Sequence, residues 1–335
     1  MKLGLMSGID HPRDIIDQAQ WAEEQGFETV WVGEGRLTRN AVVHMTLAAA
    51  NTERITIGSG IFPFRTRSVG LLGMTARTLD DMAPGRIKLG LGAWWEPLAT
   101  RNGLHTAKPR TAMKEIILAL KDLLDGKSVT YQGEYVDVDQ IKFDTPEDDD
   151  NPSYPVPIYI GAVRLRMMEL VGEVADGALM DFLVPPEYTA LSVEHIKIGA
   201  DRTGRSMDAI DCPQLLGVAV DDDDPQAAVD ACKKFLTQYI GQQPHITENC
   251  GATEEQIAGV KSVMGWPATQ EQIEAAMQFI PDELVRDVCC CGTTSETIER
   301  IEAFVAAGCT EPVLTPLGDY QGTVEKIAGA VRQRG

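Results

Sequence analysis

The chain has 335 residues, 44% of them hydrophobic, and 50 acidic residues against 30 basic ones, giving a formal net charge of -20. A surface that acidic repels phosphate backbones, so nucleic-acid binding is not expected. No run of 18 apolar residues offers a membrane span. The start, Met1 to Met6, lacks the charged, apolar and cleavage-site pattern of a secretory signal, so a cytoplasmic protein is expected. The seven cysteines, Cys212, Cys232, Cys250, Cys289, Cys290, Cys291 and Cys309, form no CxxC pair and read as buried or free thiols, with no metal site.

The elements alternate from the start. Leu3 to Met6 reads as a strand. Pro12 to Gln25 reads as a helix stopped by Gly26, and Thr29 to Val32 as a buried strand. Val42 to Asn51 is helical and Ile55 to Gly58 a third strand. In Ser68 to Met82, Val69, Leu72, Ala76 and Leu79 recur at helical spacing. Ile87 to Gly90 is the fourth strand. Residues 93–107 show no regular period and read as an active-site loop after a barrel strand. A helix from Lys108 to Leu124 follows. Residues 126–156 hold a small hairpin and an acidic connection that includes Glu147 to Asp150.

Pro157 to Ile160 resumes the pattern, followed by helix Leu165–Ala175, strand Ala178–Met180, helix Pro186–Ala200 and strand Leu215–Val220. A helix covers 225–240, and residues 241–286 form a helical insertion. Another helix starts at Gly292 to Ser295. Pro312 to Leu314 is the last strand and Val324 to Arg332 the last helix. About eight strand–helix repeats with long crossovers predict an α/β fold, a (β/α)8 barrel (TIM barrel) with insertion segments, as one domain over 1–335. An open dinucleotide-binding sheet would want GxGxxG after the first strand, where Ser7-Gly8-Ile9-Asp10 stands instead.

Several stretches at strand ends carry chemistry. Gly58-Ser59-Gly60-Ile61 ends the third strand, where glycines let the backbone approach a flat ring. Gly161-Ala162-Val163-Arg164 precedes a helix and can present N–H groups to a phosphate, with Arg164 or Arg166 adding charge. Trp94, Trp95 and Glu96 suit a flat substrate held by stacking and one polar contact; a hydrophobic plug or a subunit contact is the other reading. Arg65 and Arg67 are anion-contact candidates. His105 reads as structural or surface.

Taken in order, these segments resemble the luciferase-like superfamily of flavin- and deazaflavin-dependent oxidoreductases, and within it methylenetetrahydromethanopterin reductase and its relatives. The likeness rests on Ala22-Glu23-Glu24-Gln25-Gly26-Phe27, Ile57 to Ile61, Thr75 to Asp80 with Gly85-Arg86, Leu89 to Gly92, Pro157 to Ala162, Ala175-Asp176-Gly177 and Gly292-Thr293. The resemblance implies a luciferase-like barrel and coenzyme F420, with FMN as the alternative. The implied cofactor-binding residues are Ser59, Gly60, Ile61, Gly92, Gly161, Ala162, Val163, Arg164, Gly177 and Ala178. It also implies a bulge with a cis Gly60–Ile61 peptide, and a homodimer built through early barrel helices.

Relatives carry Asp, sometimes Asp-His, where this chain has Glu34-Gly35. A histidine relay of the sugar-phosphate dehydrogenase kind is therefore not expected. Glu34 and Glu96 remain the catalytic candidates, Glu34 as orienting group or proton donor, or as an ion pair with Arg36 or Arg39. The expected function is hydride transfer to or from a small organic substrate. That substrate is a pterin-linked one-carbon carrier or another ketone, alcohol or alkene. Alternatives are an FMN-dependent monooxygenase and a non-catalytic binding or assembly barrel.

Overall fold

The computed structural model describes residues 1–8, 11–35, 37–94, 96, 98–104, 108–144 and 154–334. In chain order the elements are β1 (Gly4–Met6), α1 (Asp14–Gln25), β2 (Thr29–Val32), α2 (Ala41–Asn51), β3 (Thr56–Ser59), β4 (Phe62–Pro63), α3 (Val69–Met82), β5 (Ile87–Gly92), α4 (Leu98–Arg101), α5 (Pro109–Leu124), β6 (Val129–Gln132) and β7 (Asp137–Ile141). They continue with β8 (Ile158–Ala162), α6 (Leu165–Val174), β9 (Gly177–Met180), α7 (Pro186–Thr203), β10 (Pro213–Val220), α8 (Pro225–Gln242), α9 (Pro244–Thr247), α10 (Glu254–Val263), α11 (Gln270–Ala276), α12 (Asp282–Val288), β11 (Cys290–Gly292), α13 (Thr294–Ala306), β12 (Glu311–Pro316) and α14 (Tyr320–Arg334). The fold is an α/β barrel with a closed parallel core of β1, β2, β3, β5, β8, β9, β10 and β12. Its eight strands match those read from the sequence. The short β11, which pairs with β10, was not foreseen. Among the described residues no helix is long and apolar enough to cross a membrane.

The chain falls into two compact units. One comprises residues 7–179 and 195–211. In it β2 pairs with β3, β3 with β5, and β5 with β8, all parallel. Gly26 ends α1 at φ 84°, a left-handed turn that glycine adopts without steric cost. Ser68 caps α3 by accepting the Leu71 N–H, and Val69, Leu72, Ala76 and Leu79 form its buried stripe. Two residues of the resemblance motifs are latches. Glu23 accepts N–H groups from Glu53, Arg54 and Ile55. Arg86 donates to the carbonyls of Ala49, Thr52 and Ile55, where α2 ends.

Inside this unit Lys88 lies over the rings of Trp31 and Tyr159, at 5.4 and 5.3 Å. Its Nζ lies 3.5 Å from Asp211, which also accepts from the Tyr159 hydroxyl at 2.9 Å. Both ends of this cluster sit at strand starts, the rim of a barrel associated with stability.

Glu115 on α5 holds the β6–β7 hairpin, accepting the N–H groups of Glu134, Tyr135 and Val136 at 3.0, 2.7 and 3.0 Å. Burial alone would raise its pKa; the three N–H donors outweigh that and hold it below the ordinary value. A depressed folded-state pKa adds stability above the unfolded value and loses it as pH falls through the folded one. Glu115→Gln is expected to cost roughly 2 kcal/mol at pH 7, the gap to wild type closing as the pH falls below the ordinary carboxylate range. Urea unfolding at several pH values checks this, and equal stability at pH 7 contradicts it.

The other unit comprises residues 1–6, 180–194 and 212–335. Here β10 pairs in parallel with β12 from Pro213 to Val218, and β1 continues the ladder on β12. The insertion expected at 241–286 holds α9 to α12 and packs on α8. Thr253, Thr269 and Thr293 open α10, α11 and α13 with reciprocal capping boxes. All seven cysteines are buried and none is in a disulfide. Among the described residues no group of His, Cys, Asp or Glu is arranged to hold a metal ion.

Candidate active site

The exit of β3 carries a bulge. Gly58 stands opposite Lys88 and Phe62 opposite Leu91, so one strand uses one more residue than its neighbour between those pairs. The Gly60–Ile61 peptide inside the bulge is cis. Ser59 locks it to β5: its hydroxyl donates to the Gly90 carbonyl at 2.9 Å and accepts the Gly90 N–H at 2.8 Å.

The glycines around the bulge have a specific duty. A Cβ on Gly92 would lie 2.3 Å from the Ile61 side chain, and one on Gly161 2.7 Å from it. A Cβ on Gly90 would lie 2.0 Å from the Ser59 carbonyl oxygen. These glycines thus make room for Ile61 and Ser59.

Beside the bulge lies a cleft of about 630 Å³ whose lining includes Glu34, Thr38, Asn40, Pro63, Arg67 and Trp94. Glu34 and Arg67 form a two-pronged ion pair at 2.6 and 2.8 Å. Their side chains are only 15% and 8% exposed. Glu34 also accepts from the Asn40 amide and the Ala41 N–H. The Arg67 guanidinium stacks 4.5 Å from the Phe62 ring centroid. Trp94 sits at φ 60°, an unusual backbone conformation for a bulky residue, and its buried indole N–H finds no acceptor among the described residues.

Residues 2–311 match the luciferase-like monooxygenase family. The chain belongs to that family. It is 29% identical to the 5,10-methylenetetrahydromethanopterin reductase of Archaeoglobus fulgidus over 310 residues, 91% of each chain. With the enzyme of the same name from Methanolobus tindarius it shares 27% identity over 319 residues, 94% of each chain. A solved coenzyme F420 dependent tetrahydromethanopterin reductase from Methanopyrus kandleri has the same fold, with a TM-score of 0.86 at 24% identity and 99% of both chains covered.

Within this family fold the sequence-derived site residues divide. Ser59, Gly60, Ile61, Gly92 and Gly161 come together at the bulge. Ala162 is buried, and Val163 and Arg164 lead into α6. Arg164 is the N-cap of α6 and makes no side-chain cap bond, while the Met167 N–H of the first turn donates to the Arg164 carbonyl. Gly177 and Ala178 lie instead at the start of β9, where a Gly177 Cβ would meet the Tyr159 ring at 2.3 Å. Asp176 is a strut there, accepting from Ile158 N–H and Lys121.

Glu96 is exposed and accepts from the Thr100 N–H and hydroxyl. Glu34, for which an ion pair with Arg36 or Arg39 was one reading, pairs with Arg67, 33 positions away. Arg36, Trp95 and His105 lie outside the described residues. Sequence reasoning passed over Asp181, directly after β9. Burial pushes its carboxyl up to about 6, against a bond from the Phe182 N–H that lowers it. A lone aspartate after a strand gives no signal of this in the sequence.

Proposed function

We infer that this chain is a coenzyme F420-dependent oxidoreductase that transfers a hydride, of the methylenetetrahydromethanopterin reductase type. The observation that carries the reading is the match along 91% of the chain to the Archaeoglobus fulgidus reductase of that name. The site fits such a group: a bulged strand exit, a helix start without a side-chain cap bond and a cleft wall whose Trp94 N–H has no acceptor among the described residues. When bound, the deazaflavin ring supplies the hydride chemistry.

The protein's part is binding, orientation and exclusion of water. Ser59 fixes the bulge and Ile61 fills the space left by Gly92 and Gly161, so the strand exit is rigid before any ligand arrives. The first turn of α6, with Gly161 to Arg164, receives the cofactor phosphate. Trp94 offers its ring face and N–H to the substrate. Glu34 acts as a positioning carboxylate, through Arg67 and Asn40.

Fluorescence titration with oxidised F420 and with FMN tests the reading. F420 is expected to bind at least about tenfold more tightly, a difference of roughly 1.4 kcal/mol. Tighter FMN binding overturns it in favour of an FMN-dependent monooxygenase.

We also propose a cytoplasmic homodimer. Val43 on α2 and Leu71, Met74 and Met82 on α3 are exposed apolar side chains on neighbouring helices, and the seven buried cysteines form no disulfide, as suits a reducing compartment. Light scattering is expected to give twice the chain mass, and Leu71→Glu with Met74→Glu to give the chain mass. A monomer across a wide concentration range for the unaltered protein refutes the dimer.

A further inference from the structure

Arg65 follows β4, two positions before Arg67, yet the two arginines have different fates. Arg67 is satisfied by Glu34. The Arg65 side chain is equally withdrawn, 8% exposed, but its Nε and Nη1 groups have no hydrogen-bond acceptor among the described residues. Its ion-pair partner among the described residues, Glu96, is 3.7 Å away, is 57% exposed and is already bonded to Thr100. Burial pushes the guanidinium down from its ordinary value, with Glu96 and Tyr135 acting in the opposite sense.

A buried cation with orphaned donors destabilises a fold unless something completes it. Flat guanidinium groups are completed best by carboxylates and phosphates. Among the described residues the aromatic ring over which Arg65 lies is that of its own neighbour Phe64, at 5.8 Å.

We propose that Arg65, which does not itself line the cleft but follows Pro63 and precedes Thr66 and Arg67 that do, recognises an oxyanion, carboxylate or phosphate, carried by the ligand, whereas Arg67 is a structural partner of Glu34. The assignment of a deazaflavin ligand rests on the function inferred above; the oxyanion specificity of Arg65 does not. The anion belongs either to the acidic tail of the cofactor or to the substrate, and the two sources are separable.

The test compares the unaltered protein with Arg65→Met and Arg65→Lys. Without ligand, Arg65→Met is expected to melt at the same temperature or higher, because a buried guanidinium with two unbonded donors has gone. Citrate or inorganic phosphate is expected to raise the melting temperature of the unaltered protein and not that of Arg65→Met. Titrations then use F420 and the deazaflavin riboside that lacks phosphate and tail. If the tail is the source, the preference for F420 over the riboside shrinks by about tenfold or more in Arg65→Met and partly returns in Arg65→Lys. If the substrate is the source, both titrations are unchanged, and KM for methylenetetrahydromethanopterin rises by about tenfold with kcat nearly constant.

A lower melting temperature in Arg65→Met, with ligand affinities and KM unchanged, overturns the proposal and makes Arg65 a packing residue. No effect on any readout overturns it equally. Failure of the unaltered protein to bind either deazaflavin defeats the cofactor assignment instead, and the citrate and phosphate arms then decide on Arg65 alone.

Discussion

Glu34→Ala is expected to lower stability by about 3 kcal/mol and turnover by about a hundredfold. Removing the carboxylate strands the Arg67 guanidinium, which is 8% exposed and bonded to Glu34 by both terminal nitrogens. It also frees the Asn40 amide and the Ala41 N–H at the start of α2. The cost of breaking a buried pair lies mostly in the charge left behind. The double variant Glu34→Met, Arg67→Leu is therefore expected to recover most of the stability, but not the turnover, because the cleft wall has changed. Urea unfolding and steady-state rates measured on the single and double variants separate the two effects. If Glu34→Ala unfolds at the same urea concentration as the unaltered protein, the pair does not hold this wall together.

Gly199→Val is expected to be more damaging still for the fold. A Cβ at Gly199 on α7 would sit 1.8 Å from the Glu169 carbonyl oxygen on α6, and one at Gly172 on α6 2.0 Å from the Ile196 carbonyl oxygen. These contacts are to backbone, which cannot swing aside as a side chain can. The two helices touch main chain to main chain through this pair of glycines, and any larger residue must push them apart. Overpacking costs roughly 1–3 kcal/mol where side chains can adjust; here the upper end is expected for Gly199→Ala and more for Gly199→Val. Separation also strains the bonds from Glu169 to His195 and Arg202. Lower soluble yield and a melting temperature several degrees down are the expected readouts. An unchanged melting temperature for Gly199→Val contradicts the close crossing.

The barrel was legible because its signals are local. Val69, Leu72, Ala76 and Leu79 mark one helix face by spacing alone, and the eight core strands are short apolar runs between glycine and helix signals. The strand Cys290–Gly292 was missed because three residues carry no period. The bulge at Gly60–Ile61 was legible only through the family resemblance. The Glu34–Arg67 pair was not legible, since it joins residues from two strand exits 33 positions apart, and the local partners Arg36 and Arg39 were the natural guess. Nor was the close packing at the glycines at 92 and 161 legible. Only the packing of Ile61 shows what fills them. The raised carboxyl of Asp181 depends on burial, which no neighbouring residue announces.

The central claim is hydride transfer through a deazaflavin, and its most direct measurement follows reduced F420 carrying deuterium at the reactive ring carbon. Under air, with methylenetetrahydromethanopterin as acceptor, the account predicts acceptor-dependent oxidation of the cofactor, deuterium in the methyl product and no enzyme-dependent oxygen uptake. Oxygen uptake driven by reduced FMN, with no label transferred from F420, would contradict it.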